Sequence, residues 1–383
     1  MKEKGIDFVT KCRKMFFFLE YFLVFLFFAV SLQVRRFRIN DKIENRKQNI
    51  ELNKNIEKNK IENMIDRCYI EITNTCNLNC DFCPKHHRRK RQLSAEEFNL
   101  ITDKVRGKVC FLYFHLMGEP LLHPLLPQFV RMANEKGFKT VLTSNGTLLH
   151  RCLPLLEALP HKIQLSLHSH ESNARGELAS YMQEVMDFSM QAAEKGTCMV
   201  LRLWNQGGRD QENEEVMRLI EQYVPKPWKE RPDGFRLADH LYLEFDRKFE
   251  WPTAGKESEK NLKNESEKNL KNESENESEK ESEDESGEES PKKEKKQLFC
   301  KALIKQIGVQ SDGSLVPCCL DHDGDVVLGN LLHQSLEEIL ASPRAQALIE
   351  GFKHHTASEE LCQNCESALA GNSFRGKARS SEK

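Results

Sequence analysis

At 383 residues the chain has room for two or three domains and a sizeable core. Its formal charge of -2 at pH 7 excludes a whole-chain electrostatic case for nucleic acid as the partner, and no basic patch with interleaved aromatics makes a local one. Thirteen cysteines, an odd number falling in clusters and apolar runs, argue against a secreted disulfide scaffold and for metal ligation in a reducing, cytoplasmic compartment.

Residues 15–34, MFFFLEYFLVFLFFAVSLQV, are about as long as one membrane-spanning helix and contain one acid, Glu20. Lys11, Arg13 and Lys14 precede the run and Arg35, Arg36 and Arg38 follow it, so the positive-inside rule orients it weakly. Without a small-residue cleavage site, an uncleaved anchor at the inner face of a membrane fits better than a signal peptide. A second reading treats residues 1–63 as an extension from a misassigned start. Phe, Lys, Asn and Ile, the residues of AT-rich codons, dominate them, and Met64 directly precedes the first strand. On either reading residues 40–63 form a polar tether.

From Cys68 short apolar runs alternate with amphipathic stretches. The runs 68–73 (CYIEIT), 109–116 (VCFLYFHL), 138–143 (FKTVLT), 162–167 (KIQLSL), 199–204 (MVLRLW) and 241–246 (LYLEFD) predict strands. Helices are expected near 94–106, 125–136, 147–158, 177–195 and 211–223. The first opens on Ser94-Ala95-Glu96-Glu97, a capping box in which the serine oxygen and Glu97 each satisfy an orphan amide. Apolar strands separated by single helices imply a parallel sheet. Six units are too few for a closed eight-stranded barrel, so residues 64–253 should form a partial barrel or an open doubly wound sheet.

Residues 254–297 differ in kind. ESEKNLKN occurs twice in tandem, at 257–264 and 265–272, and decays into ESENESEKESEDESGEES. No unit has an apolar face to stack, so a disordered insert is expected. A small module follows over 298–370. In it LIKQIGVQ, SDGS and LVPCC read as a β-hairpin turning at Asp312-Gly313, and Ser335-Leu336-Glu337-Glu338 opens another capped helix. Residues 371–383 are a basic tail.

The stretch CNLNCDFC, residues 76–83, sets three cysteines in eight residues with no fourth before Cys110. Zinc prefers four nearby ligands, usually in paired spacings. Iron–sulfur cubanes normally take four thiolates, so a local set of three leaves one iron open to a substrate or cofactor. The stretch follows the first strand, at the C-terminal mouth of the sheet where such enzymes keep their active sites.

Cys76-x3-Cys80-x2-Cys83, with Phe82 before the last thiol, resembles the signature of radical S-adenosylmethionine (SAM) enzymes. The resemblance implies a 4Fe–4S cluster on Cys76, Cys80 and Cys83, with SAM on the open iron. Reductive cleavage of SAM would then give methionine and a 5′-deoxyadenosyl radical that takes a hydrogen from the substrate. Further SAM contacts follow from the same resemblance. Gly118-Glu119-Pro120 is similar to the GGE-type segment that holds the methionine amino group, a strong cation–carboxylate contact in a dry site. Ser144 in TSNGTLL and Ser166 in LSLHS would face SAM, and Arg202 in LRLWN its carboxylate, while Asn145 shapes an Asn-Gly turn. For each of these the alternative is a strand-end polar group bonded to backbone.

Cys300-x17-Cys318, Gly313-x4-Cys318 and Cys362-x2-Cys365 resemble the iron–sulfur module called SPASM, in its reduced, single-cluster twitch form. That implies an auxiliary 4Fe–4S cluster on Cys300, Cys318, Cys362 and Cys365, with Cys319 the rival of Cys318; a zinc ribbon would use the same four thiols. Cys68, Cys110 and Cys198 read as small buried hydrophobes. The basic run HHRRKR, 86–91, would attract an anionic substrate or an acidic electron donor, or be a solvated loop. His115, His123, His168 and His170 flank the mouth, as proton carriers or as hydrogen-bonded structure. Asp321-His322-Asp323-Gly324-Asp325 lacks the spacing of a calcium loop and reads as a turn.

The expected protein is α/β, a partial (β/α)6 barrel with a small C-terminal iron–sulfur module. Its expected activity is radical SAM chemistry on a small molecule, by dehydrogenation, or on a peptide or protein, by modification. A reducing donor such as a flavodoxin or ferredoxin would supply the electron. A non-catalytic iron–sulfur carrier or redox sensor and a membrane-tethered zinc scaffold are the rivals.

Overall fold

A computed structural model describes residues 65–173, 176–248, 250–253 and 297–369, all within one compact unit, Met64–Lys383. The apolar stretch 15–34, the tandem repeat and the basic tail lie outside these residues. Among the described residues no helix is long and apolar enough to cross a membrane.

The expected strands form as β1 (Ile65–Ile70), β2 (Val109–Tyr113), β3 (Lys139–Ser144), β4 (Lys162–Ser166) and β5 (Cys198–Gln206). An antiparallel hairpin, β6 (Lys229–Arg231) and β7 (Gly234–Ala238), then leads into β8 (Leu241–Arg247). The parallel strands lie in the order β1-β2-β3-β4-β5-β8. That order never reverses. Right-handed crossovers therefore put every helix on the same side, which decides for a partial barrel over a doubly wound sheet.

Helices α1 (Ala95–Val105), α2 (Leu126–Glu135), α3 (Leu155–Ala158), α4 (Ser169–Asn173), α5 (Leu178–Glu194) and α6 (Asn213–Tyr223) make the crossovers. The capping box at Ser94 forms as expected, with both reciprocal bonds. Strand alternation sorts the side chains. Ile70, Leu112, Leu142, Leu165, Leu201 and Leu243 are buried and share the covered face. Phe98 of α1 stacks on Phe129 of α2 with centroids 4.2 Å apart and meets Phe114 edge-on at 5.5 Å. The alternate positions, among them Tyr69, Tyr113, Thr143, Gln164, Arg202 and Glu244, face the lumen.

The C-terminal module does not stand apart. Its hairpin, β9 (Gln306–Val309) and β10 (Ser314–Val316), is extended by β11 (Gly329–Asn330), and β9 pairs in parallel with β1, Arg67 against Gln306. The module thus completes the open edge of the barrel, which an unpaired β1 would leave exposed. Gly313 turns the hairpin at φ +85°, where a Cβ would lie 2.5 Å from Leu332 Cγ. The helices α7 (Leu336–Leu340), α8 (Pro343–Lys353), α9 (Glu360–Gln363) and α10 (Glu366–Leu369) follow, the first behind the capping box at Ser335. Strand β1 begins three positions before the apolar run of the sequence, because Ile65 is held by backbone pairing to β2 and Arg67 by pairing to both β2 and β9.

Candidate functional site

The loop of residues 76–83 leaves β1 and is fastened on two sides. Asn77 donates to Thr147 Oγ1 at 2.8 Å and accepts from Asn145 Nδ2 at 3.0 Å. The Asn-Gly turn after β3 therefore does more than turn the chain. From α4, Asn173 Oδ1 accepts the Asn79 N–H at 2.8 Å and its Nδ2 donates to Cys80 Sγ at 3.1 Å, while Ser172 Oγ accepts the Asp81 N–H at 2.9 Å. Cys80 is buried, Cys83 half-buried and Cys76 exposed. Partial burial raises the Cys76 thiol, and the charges of Glu119, Cys80 and Cys83 push the same way.

The Gly118-Glu119-Pro120 segment is bonded to that loop. The Glu119 N–H donates to Thr75 O at 2.9 Å, one residue before Cys76. Gly118 sits at φ +80° where a Cβ would be 2.3 Å from Thr73 O, so only glycine lets the two backbones pass. Pro120 starts a single 3-10 turn capped by the Glu119 side chain. Glu119 is 2% exposed; its Oε1 accepts the Leu121 N–H at 3.0 Å and its Oε2 the Asn145 N–H at 2.8 Å. Burial nonetheless holds its carboxyl up at about 7. An ammonium group beside it would restore the charged form. Ser144 is buried, and its hydroxyl accepts the Gly146 N–H at 3.0 Å and bonds Glu119. Ser166, at the end of β4, pairs in register with Arg202 of β5.

A cavity of about 160 Å³ opens beside the thiol loop, lined by Asp81, Phe82, His168, Ser172, Trp204, Asn205, Gly208, Arg209 and Lys248. The Phe82 and His168 rings lie 4.9 Å apart. His168 Nδ1 lies 3.2 Å from Arg202 O and 3.3 Å from the Trp204 N, and burial lowers this imidazole to about 4, so it is neutral. Phe82 was legible in the sequence as part of this site. Trp204 and Asn205 were not, because Trp204 reads as the last apolar residue of its strand run and Asn205 carries no motif.

Cys300, Cys318, Cys362 and Cys365 line one hollow of about 20 Å³ with Pro252, Ala302, Leu320, Leu361 and Ala368. Burial raises Cys318 well above the ordinary thiol and Cys362 to about 12, and neighbouring thiols of the set add to both. Four thiols lining one apolar hollow are the donor set an iron–sulfur cubane takes, with the metal displacing their protons, although among the described residues no three of these side chains already stand close enough to hold a metal ion. Cys319 turns away to bond Tyr69 and packs with Cys83, Leu116, Met117 and Val316. The geometry favours Cys318 of the adjacent pair.

The basic run is neither an open anion trap nor wholly solvated. Arg88 pairs with the buried Glu71, His87 Nδ1 lies 2.7 Å from Asp323 Oδ2, and Arg91 donates to Ser311 O at 2.8 Å. Only Arg89 and Lys90 of its arginines and lysines stay exposed. Asp321 is buried and accepts the N–H groups of Gly324, Asp325 and Val326, which makes 321–325 the expected turn. His123 and His170 are hydrogen-bonded structure, to Leu93 O and to Glu212.

Residues 70–226 match the radical SAM superfamily, and residues 300–366 match SPASM, an iron–sulfur cluster-binding domain. The chain belongs to the radical SAM superfamily. As a radical SAM protein with a SPASM module, it takes SAM, a SAM-binding 4Fe–4S cluster and auxiliary iron–sulfur as its cofactors. Over 85 residues it is 35% identical to the tungsten-containing aldehyde ferredoxin oxidoreductase cofactor-modifying protein of Pyrococcus furiosus, and over 108 residues 37% identical to the GTP 3',8-cyclase of Chlorobaculum tepidum. The two matches cover 21% and 27% of this radical SAM chain, and 24% and 33% of those relatives' own lengths. The crystal structure of Streptococcus suis SuiB bound to precursor peptide SuiA shares the fold, with TM-score 0.50 at 16% identity over 84% of this chain and 75% of that one.

Proposed function

We propose that this radical SAM protein is an enzyme that cleaves SAM reductively at the barrel mouth and abstracts a hydrogen from a small-molecule or peptide substrate. The observation that carries the reading is the bonded unit of the thiol loop, Gly118 and Glu119, set beside an aromatic pocket. When bound, the cluster on Cys76, Cys80 and Cys83 supplies the electron that cleaves the sulfonium. The chain's own residues bind and orient. Glu119, buried and short of a cation, takes the ammonium of SAM, with Ser144 and the Asn145 N–H holding the carboxylate still. Phe82, His168 and Trp204 offer apolar faces to the adenine, and Asn173 holds Cys80 in place.

Residues 64–253 serve as the catalytic barrel and 298–370 as the auxiliary module, with 254–297 as the insert between them. Cys300, Cys318, Cys362 and Cys365 would hold one auxiliary 4Fe–4S cluster. Ligation by four cysteines leaves no open iron, which suits electron acceptance from a substrate radical better than substrate binding. A flavodoxin or ferredoxin is the proposed donor of the first electron.

The test is anoxic reconstitution with iron and sulfide, then SAM and dithionite, with 5′-deoxyadenosine measured by chromatography. The proposal expects deoxyadenosine, and expects none from Cys80→Ala. Protein with two clusters and no SAM cleavage would instead be an electron carrier, and colourless protein a zinc scaffold.

A further inference from the structure

Below the mouth, inward positions of neighbouring strands form a polar belt around the lumen. Tyr69 and Tyr113 are register partners with rings 4.8 Å apart, and His115 packs against both, at 5.5 and 5.6 Å. Arg202 lies across from them with its guanidinium 3.9 Å over the Trp204 ring. Two nitrogens of this belt are shut off from solvent and, among the described residues, have no hydrogen-bond partner: His115 Nδ1 and Arg202 Nε. Buried polar atoms are almost always satisfied, so two unmet atoms on one lumen mark a place shaped for a ligand.

Their chemistry differs. Burial lowers the Arg202 guanidinium only to about 10, so it stays a cation at neutral pH and its Nε–H can only donate. Burial pushes His115 down to about 3, so its imidazole is neutral. The hydrogen-bond chain then assigns the tautomer. Thr143 Oγ1 donates to Gln164 Oε1 at 3.0 Å, which leaves it to accept from His115 Nε2 at 3.4 Å and leaves Nδ1 bare as an acceptor. Glu244, the register partner of Arg202, offsets part of the charge, and Arg67 on β1 adds a second guanidinium.

We propose that the lumen anchors a substrate carrying a carboxylate beside a hydroxyl or amine, the carboxylate on Arg202 Nε and the O–H or N–H on His115 Nδ1. This rests on the mouth being the SAM site, and it moves Arg202 from SAM's carboxylate to the substrate's. A hydroxy acid or an amino acid end group satisfies both atoms at once; a hydrocarbon satisfies neither, and a cation without an acceptor leaves Arg202 Nε unmet.

Saturation-transfer NMR on the reconstituted full chain, at saturating SAM, tests this with 2-hydroxybutyrate, 3-hydroxybutyrate, butyrate and butyramide as probes. One hydroxy acid should bind at least tenfold more tightly than butyramide and at least threefold more tightly than butyrate. Arg202→Lys should weaken every carboxylate about tenfold. His115→Phe should erase the gain from the hydroxyl, and His115→Asn, which returns an acceptor, should restore it. Iron content and the change SAM makes in the cluster's EPR spectrum show that each variant is intact. Equal binding of acids and amide overturns the proposal, as does displacement of the acids by SAM, which would give Arg202 back to SAM. Selective acid binding by protein that makes no 5′-deoxyadenosine would overturn the radical reading and leave this site standing.

Discussion

Arg88 meets Glu71 head-on, Nη1 to Oε1 and Nη2 to Oε2, each at 2.7 Å, with the carboxylate fully buried. The pair is a junction of the molecule. Glu71, next after β1, also accepts the Met117 N–H at 3.2 Å, the Ser311 N–H at 3.1 Å and the Ser311 hydroxyl at 2.9 Å. Arg88 Nε reaches His322 O at 3.1 Å. One ion pair therefore ties the thiol loop, the approach to Gly118 and the C-terminal module together, and fixes the two cysteine sets relative to each other.

Breaking that pair should be expensive. Arg88→Met leaves a buried carboxylate without its cation, which destabilises by about 3–5 kcal/mol. Arg88→Lys keeps the charge but not the two-pronged geometry and should fall in between. Urea unfolding of the reconstituted protein measures both; a loss below about 1 kcal/mol, the value of a surface pair, would mean that the junction is not one.

SAM affinity should follow the protonation of Glu119. Its buried carboxyl sits at about 7, and a cationic ligand binds only the charged form. Below that pH affinity should drop about tenfold per unit, and above it level off. Stability of the SAM-free protein runs the other way. A raised native pKa means the folded chain holds a proton that the unfolded chain releases, so stability falls as pH climbs from the ordinary carboxylate range through about 7. Glu119→Gln should flatten both profiles. Equilibrium dialysis between pH 5.5 and 8.5 checks the first, and a pH-independent Kd in the native protein would remove Glu119 from the ammonium.

Iron counting separates the adjacent cysteines. Cys76, Cys80 and Cys83 all changed to Ala should leave about four irons per chain, held by the C-terminal set. Adding Cys318→Ala should abolish or strongly reduce them, whereas Cys319→Ala should not. The reverse order would show that the hollow lined by Cys300, Cys362 and Cys365 recruits Cys319 instead.

Gly118→Ala combines two penalties, a left-handed backbone worth about 1–2 kcal/mol and a methyl pressed onto Thr73 O. The Glu119 segment should shift off the thiol loop, so SAM binding should weaken at least tenfold even in protein that remains folded. Unchanged affinity would show that the close passage of the two backbones is not needed for the cofactor.

Local spacing carried a good deal of this. Three thiols at 76, 80 and 83, two capping boxes and six apolar runs are short-range features, and steric or ligand geometry makes each legible within a few residues. The strand of β1 was displaced because hydropathy sees side chains, while Ile65 and Arg67 are held by backbone pairing. The hairpin β6–β7 went unread because its residues, KER and GFRLA, show no clean alternation. Arg88 looked like one charge in a basic run, since its partner Glu71 is seventeen residues away in an apolar strand sequence.

By itself, the sequence determined the α/β class, the six strand segments, the two cysteine clusters and the family, because these depend on residue types at fixed near spacings. The tertiary structure alone decided that the module completes the barrel edge through β9, that Cys318 and not Cys319 faces the hollow, and that His115 Nδ1 and Arg202 Nε share a lumen. Those outcomes depend on which segments distant in the chain come to lie side by side, and on where a single side chain turns. Neither is encoded in any local pattern.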